Sequence, residues 1–396
     1  MPYHEIVIES PSHTQHKLRP GIIELAFGEP DPALLPTGLI RDAAAESLET
    51  YGPGALAYGA PLGPPGLRKQ IALRIARCEG HKATPADILI TGGNSQALDL
   101  ALTMLTAAGD VVLVESPTYA LALGTLRDHA VEIAAVPIDE DGLDLAALEE
   151  TLATLRAAGR KPRLLYTIPT FHNPAGLCLS PARRTRLLEL ARTHDLIIIE
   201  DDVYRDIVYE GSPPQSLWTL DPQAPVVRLG SFSKCLAPGL RVGWINARAD
   251  LLERLSAAGM LQSGGCVSQY AATVVARVMA GEGYQEHLAG LRRAYASRRD
   301  ALADALREHL PADCHFTSPA GGFFIWLTLP HGLSATRLLP VAERHAVSFA
   351  PGARFSGTEG ESSLRLAFCL YDEEALSEGG RRLGVAVRVL TEGRSA

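Results

Sequence analysis

Ser231, Ser233, Lys234 and Arg241 place two hydroxyls, an amine and a guanidinium within eleven residues, the most informative stretch of this sequence. They lie in Leu229-Gly230-Ser231-Phe232-Ser233-Lys234-Cys235-Leu236-Ala237-Pro238-Gly239-Leu240-Arg241, where an apolar run ends and a turn begins. Sites in open α/β sheets form at the carboxyl ends of strands. Three chemistries suit the group. Lys234 could be a solvated loop lysine. Ser231 and Lys234 have the S-x-x-K spacing of a serine nucleophile, but the S-D-N and K-T-G strings that accompany that signature do not occur. The third possibility is a Schiff-base lysine, with Ser231, Ser233 and Arg241 forming a cup for a phosphate.

The third reading makes demands elsewhere in the chain. A phosphorylated aldehyde needs an anion site, preferably at a helix N-terminus, and Gly92-Gly93-Asn94-Ser95-Gln96 supplies one between a strand and a helix. A pyridine ring needs an acid at its nitrogen to stay electron-withdrawing. Glu200-Asp201-Asp202 ends an apolar run where such an acid belongs. Tyr204 and Asn173 could donate to a ring oxygen, and Tyr119 could stack on the ring. Each feature also has an ordinary role. Gly-Gly turns join many strands to helices, acids cap helices or hold metals, and tyrosines pack in cores.

These residues need a scaffold of alternating strands and helices. Ile88-Leu89-Ile90-Thr91, Val111–Val114, Ile133–Val136, Leu164–Ile168, Leu196–Ile199 and Val226–Leu229 read as strands. Their continuous Ile/Val/Leu character predicts cover on both faces. Helical spacing follows over 96–107, after Pro117, around 144–157 and over 181–193, the last opened by Ser180-Pro181. The alternation predicts an α/β sandwich with a mostly parallel sheet. After about residue 280 the texture changes to a long Arg-rich helical stretch, Tyr284–Glu308, and then shorter elements. We read residues 45–280 as a large domain. Residues 1–44 and 281–396 then form a smaller α+β domain.

Composition narrows the classes. The 396 residues carry 37 basic and 45 acidic side chains, a net charge of −8, which argues against nucleic acid as the main partner. Only five of the basic residues are lysine: Lys17, Lys69, Lys82, Lys161 and Lys234. No uncharged apolar run is long enough to span a membrane, and the opening MPYHEIVIES has no secretory-signal pattern. The six scattered cysteines show no zinc spacing and read as reduced thiols of a cytoplasmic protein. No metal site is expected.

The chain resembles the class I/II aminotransferases of the fold-type I pyridoxal phosphate enzymes. Within them it is most similar to the branch containing 2-aminoadipate and kynurenine aminotransferases, whose domain is also fused to some transcription regulators. The resemblance runs from Gly28 to Arg365. It rests on Gly28-Glu29-Pro30-Asp31-Pro32, Ala57-Tyr58-Gly59, Thr91-Gly92-Gly93-Asn94-Ser95-Gln96-Ala97-Leu98, Phe171-His172-Asn173-Pro174-Ala175-Gly176, Glu200-Asp201-Asp202-Val203-Tyr204, Ser231-Phe232-Ser233-Lys234 and Leu364-Arg365-Leu366, in family order.

That resemblance implies a mostly parallel seven-stranded sheet between helices plus the smaller α+β domain. It also implies pyridoxal 5′-phosphate as cofactor, and transfer of an amino group between an L-amino acid and a 2-oxo acid by a ping-pong cycle. Lys234 would bind the cofactor covalently and shuttle the proton. Asp201 would pair with the ring nitrogen, Tyr204 and Asn173 with the ring oxygen, and Tyr119 would stack. Asn94, Ser95, Ser231, Ser233 and Arg241 would hold the phosphate. Tyr58 would reach the phosphate of a neighbouring subunit, which implies a homodimer. Arg365 would clamp the substrate carboxylate, assisted by Asn173 and the backbone at Gly28. His172 is expected to pack. The turn departs from the branch in having Gly93-Asn94-Ser95-Gln96 where Gly-Ser-Gln is usual, which leaves its backbone donors in place. Arg19 is a candidate for reading a distal carboxylate, and Glu29 or Asp31 for a cationic side chain.

Two alternatives accompany this expectation. An elimination, replacement or cyclisation would use the same cofactor residues. A non-catalytic effector domain of a regulator would need a winged helix ahead of it, and only some 25 residues precede Gly28.

Overall fold

The Ile/Val/Leu runs become buried strands of one large sheet. The computed structural model describes residues 18–356 and 360–392. Across the sheet the order is Ile88–Thr91, Gly243–Ala247, Val226–Ser231, Ile197–Asp201, Pro162–Thr167, Val111–Ser116, Glu132–Asp139 and Gly142–Leu143. Six strands point the same way, while Gly243–Ala247 and Gly142–Leu143 run against their neighbours. The expected count of seven is thus corrected to eight. The extra strand is the two-residue Gly142–Leu143, which folds back on Glu132–Asp139. Such a short return leaves no apolar run in the sequence.

Strand alternation sorts side chains between two cores. On one face Leu113, Leu165, Ile198 and Val226 are buried against the Pro65–Glu79 and Pro181–His194 helices. On the other, Val112, Leu164, Ile199 and Leu229 meet the Asn94–Leu105 helix. Helix starts follow the local chemistry. Asp144 caps Leu145–Ala157 by accepting from the Ala146 and Ala147 amides, and Pro181 occupies the first turn of its helix.

Beyond residue 280, the Gly283–His309 helix packs along Glu373–Glu392. Gly380 and Gly384 permit the approach, since a Cβ on Gly384 would lie 2.4 Å from the His309 carbonyl. A four-stranded antiparallel sheet joins them, in the order His315–Phe316, Phe324–Thr328, Ser363–Ala367, Ala350–Pro351. The N-terminal strand Ile23–Glu24 pairs with Val347–Ser348 beside this sheet. The next helix, Thr37–Tyr51, packs instead on Gln269–Ala280, and Tyr270 donates to the Ala44 carbonyl at 3.2 Å. Among the described residues no helix is long and apolar enough to cross a membrane, and no group of His, Cys, Asp and Glu could hold a metal. Lys17 and the opening ten residues lie outside the described residues.

Candidate active site

Register places the two candidate phosphate turns side by side. Gly243 pairs with Thr91 on one side and with Ser231 on the other. Gly92-Gly93-Asn94 therefore leaves the sheet next to Ser231-Phe232-Ser233. Gly243 is the spacer that allows this: a Cβ there would sit 2.8 Å from the Gly230 carbonyl oxygen and 2.9 Å from the Gly93 carbonyl carbon. Gly93 has φ +90° and opens the Asn94–Leu105 helix, so its turn needs glycine. The Ser233 amide donates to the Ser231 hydroxyl at 3.1 Å. Arg241, at φ +49°, turns back so that Nη2 donates to the Gly92 carbonyl at 3.4 Å. A helix N-terminus, two serines and an exposed guanidinium thus meet in one concavity of donors, suited to an anion. Ser95 is exposed in the first turn of that helix.

The central parallel strands deliver the remaining groups to the same edge. Asp201 ends Ile197–Asp201 and is buried. Its Oδ2 accepts from the Tyr166 hydroxyl at 2.6 Å, while Oδ1 is buried with no partner. Burial raises this carboxyl to about 6, against the hydrogen bonds of Tyr166 and Asn94. Tyr204 is buried three residues later, edge-on to Phe323 and Phe324, and burial lifts its phenol far above the usual range. Tyr119 stands half-buried at the start of the Ala120–Asp128 helix, within electrostatic reach of Asp201, Arg365 and Arg241.

Lys234 lies among these groups. Its Nζ donates to the Gly28 carbonyl at 2.9 Å and sits 5.9 Å from the Tyr204 ring centre and 5.6 Å from that of Phe323. Burial lowers its pKa, and the Arg365 charge adds to this. A lysine so placed is a better nucleophile than one in water. Gly28 must be glycine for a packing reason, because a Cβ would lie 2.5 Å from Phe324.

Arg365 comes from the other sheet, on Ser363–Ala367. Its Nη1 donates to Asn173 Oδ1 at 2.8 Å and its Nη2 to the Ala26 carbonyl at 2.7 Å, while Nε has no partner. The guanidinium lies 4.1 Å from the Phe324 ring centre and 4.8 Å from that of Phe355. Burial pushes it down to about 10. Such a poorly solvated cation has strong reason to take a carboxylate.

Three sequence candidates have other employment. Arg19 is held by Glu24 at 2.5 Å and Glu343 at 2.8 Å, tying the N-terminal strand down. Asp31 caps a short helix by accepting from the Ala33 amide, and pairs with Arg298 at 2.7 Å. His172 packs as expected, with Nε2 3.1 Å from Glu115 and Nδ1 accepting from the Ala175 amide. Tyr58 is 91% exposed and does not join the site of its own chain. Tyr166, Glu115 and the Ala26 carbonyl were not legible as site residues. Only the position of Tyr166 near the carboxyl end of a strand hinted at its place.

Residues 20–383 match the family of aminotransferases of class I and II. The chain is 38% identical to 2-aminoadipate transaminase of Thermus thermophilus, covering 94% of this chain and 91% of the relative. It is 36% identical to aromatic-amino-acid aminotransferase 1 of Thermococcus litoralis, over 93% and 88%. The crystal structure of Pyrococcus horikoshii kynurenine aminotransferase with PMP superposes with a TM-score of 0.88 at 36% identity, over 93% and 91%. The protein belongs to the class I and II aminotransferase family and has the fold-type I architecture. It is an enzyme that transfers amino groups with pyridoxal 5′-phosphate as cofactor.

The residues present fit that cofactor. The unpartnered Asp201 Oδ1 is an acceptor for a ring N–H, the Gly92–Ser95 turn with Ser231, Ser233 and Arg241 suits a phosphate, and Lys234 offers an amine between them.

Proposed function

We propose that this enzyme moves an amino group between an L-amino acid and a 2-oxo acid in a ping-pong cycle at the cluster of Lys234, Asp201 and Arg365. The observation that carries this reading is the convergence of an amine, a buried half-satisfied carboxylate and a desolvated guanidinium from three separate segments. Bound pyridoxal phosphate supplies an electron sink for the carbanion formed at the substrate Cα. Asp201 holds the ring nitrogen, Tyr204 and Asn173 orient the ring oxygen, and Tyr119 covers one ring face. Asn94, Ser95, Ser231, Ser233 and Arg241 hold the phosphate. Lys234 carries the proton to and from Cα, and burial reduces its basicity for that exchange. Arg365 binds the substrate carboxylate, with Asn173 and the Ala26 carbonyl fixing the plane of the guanidinium.

The active unit in this reading is a homodimer. Tyr58 projects from a surface that also exposes Leu56, Met260 and Val267, a patch of the kind that association covers. Tyr58 would then serve the partner's phosphate site. In this reading residues 45–280 form the large domain, and the described residues before 45 and after 280 the small one, the boundary running through the Thr37–Tyr51 helix. Six free cysteines accord with a reducing, cytoplasmic setting. With Arg19 and Asp31 paired elsewhere, neither selects the substrate side chain, whereas Glu29 lies within electrostatic reach of Lys234.

The test is a half-reaction. Purified holoenzyme is mixed with single amino acids, and conversion of the cofactor to its pyridoxamine form is followed by absorbance, with the 2-oxo acid identified by mass. Transamination predicts stoichiometric conversion for at least one amino acid. Release of an elimination or cyclised product without conversion would replace this reading. Arg365→Gln is expected to raise the amino-acid concentration needed by about 100-fold and to leave the resting spectrum intact.

A further inference from the structure

Tyr166 is wholly buried, and its hydroxyl makes one hydrogen bond among the described residues: it donates to Asp201 Oδ2 at 2.6 Å. It sits on Pro162–Thr167, where register pairs it with Ile199. That puts it one strand away from Asp201, two residues short of it, and on the same face of the sheet. Its ring packs with Val112, Val114 and Ile199 in the core under the Asn94–Leu105 helix. A phenylalanine would fill that space equally well, so packing alone gives no reason for the hydroxyl. A buried hydroxyl needs a partner, and this one occupies one of the two carboxylate oxygens while the other stays open.

We propose that Tyr166 is a positioning residue for the cofactor, pinning Asp201 Oδ2 so that Oδ1 is the oxygen presented to the ring nitrogen. The inference rests on the reading of Asp201 as the partner of that nitrogen. It adds a second consequence. A hydrogen bond from Tyr166 favours the ionised carboxylate, against burial, which favours the protonated one. The titratable and charged groups facing Asp201 are Tyr166, Tyr119, Tyr204, Lys234 and its neighbour Asp202. Of these titratable groups Tyr166 donates to it, and the Asn94 side chain and the Val203 amide favour the ionised form as well.

The test measures pyridoxal phosphate retention by holoenzyme dialysed between pH 5 and 8, for the native protein, Tyr166→Phe, Asp201→Asn and the double variant. Loss of the hydrogen bond is expected to weaken retention about tenfold at pH 7. The pH below which retention falls should rise by about one pH unit, because Asp201 then takes up its proton earlier. In the Asp201→Asn background the Tyr166→Phe change should alter retention less than twofold, since the coupling is gone. An unchanged pH profile in Tyr166→Phe, or an equal loss with and without Asp201, would overturn the role of Tyr166 and leave it as core packing. Asp201→Asn with native retention at every pH would overturn the reading of Asp201 itself, and this proposal with it.

Discussion

Glu200, Asp201 and Asp202 are consecutive and all buried, yet they belong to two different electrostatic worlds. Strand alternation sends Glu200 and Asp202 to one face and Asp201 to the other. On the first face three acids, Glu79, Glu200 and Asp202, meet three arginines, Arg184, Arg205 and Arg228, in one buried network. Asp202 Oδ2 alone takes Arg205 Nε at 2.5 Å and Arg228 Nε at 2.9 Å. Glu200 adds the amides of Leu217 and Trp218. On the other face Asp201 meets the Tyr166 phenol, the Asn94 side chain and the Val203 amide but no ion-pair partner among the described residues, and the nearby cations Lys234 and Arg365 are both pushed down by burial. The first network sets every charge against an opposite one, although Asp202 Oδ1 and Arg228 Nη1 have no hydrogen-bond partner, whereas no ion pair among the described residues ties down the Asp201 carboxylate. Burial or a single open atom therefore does not mark function by itself; buried charge without a counter-charge does.

The comparison breaks most visibly at Lys234. Lys234→Ala should reduce transamination by at least about 10⁴-fold, since it removes both the amine and the proton carrier. The absorbance of the covalently bound cofactor should vanish with it, while the unfolding temperature of the cofactor-free protein stays within a few degrees. Retained activity with a covalent cofactor would place the chemistry elsewhere.

In the arginine–carboxylate network the same measurement should invert. Arg228 is fully buried between Glu79 and Asp202. Arg228→Met removes a cation shared by both acids, leaving Arg205 alone between them, and should cost about 3–5 kcal/mol of stability, read by denaturant unfolding. The resting absorbance of protein that remains folded should be unchanged. Loss of cofactor absorbance before loss of structure would show that the network belongs to the site.

Asp201→Asn sharpens the contrast by gaining what Arg228→Met loses. The Asp201 carboxyl is raised from the ordinary 3.8 to about 6, chiefly by burial. Ionisation therefore favours the unfolded chain. The penalty is fully present above pH 6 and disappears as pH falls toward 4, where the group is protonated in both states. In the cofactor-free protein Asp201→Asn should raise stability by roughly 3 kcal/mol at pH 7 and by little at pH 4. The holoenzyme should lose activity with the same change. No stability gain at pH 7 would mean that another group already compensates Asp201.

Much of this was legible before any coordinates. The strands made of unbroken apolar runs, from Ile88 to Leu229, were readable because both faces are covered. Gly243–Ala247 was not, because Gly243, Trp244 and Asn246 interrupt that pattern, and each is there for a local reason: Gly243 for close approach, and Asn246 to donate to the Asp87 carbonyl at 3.0 Å. The candidate site residues on turns and strand ends were singled out by residue type and order. Tyr166 was missed because a tyrosine in an apolar strand looks like core. The network of Glu79, Arg205 and Arg228 was missed because its partners lie up to 149 positions apart. Arg19 misled for a similar reason, since Glu343 lies 324 positions away.

The smallest expected effect completes the comparison. Lys69, Lys82 and Lys161 are all exposed, and Lys161 pairs with the exposed Asp195 at 2.8 Å. Arginine keeps the charge, the reach and this surface pair, so each Lys→Arg change should alter stability by no more than about 0.5 kcal/mol. Turnover should not move. Lys234→Arg also keeps the positive charge, yet a guanidinium neither gives up its proton at these pH values nor forms an imine with an aldehyde. Identical substitutions at four lysines thus separate charge from nucleophilicity. Residual transamination in Lys234→Arg comparable to that of the three surface variants would mean that charge, and not the amine, is what position 234 contributes.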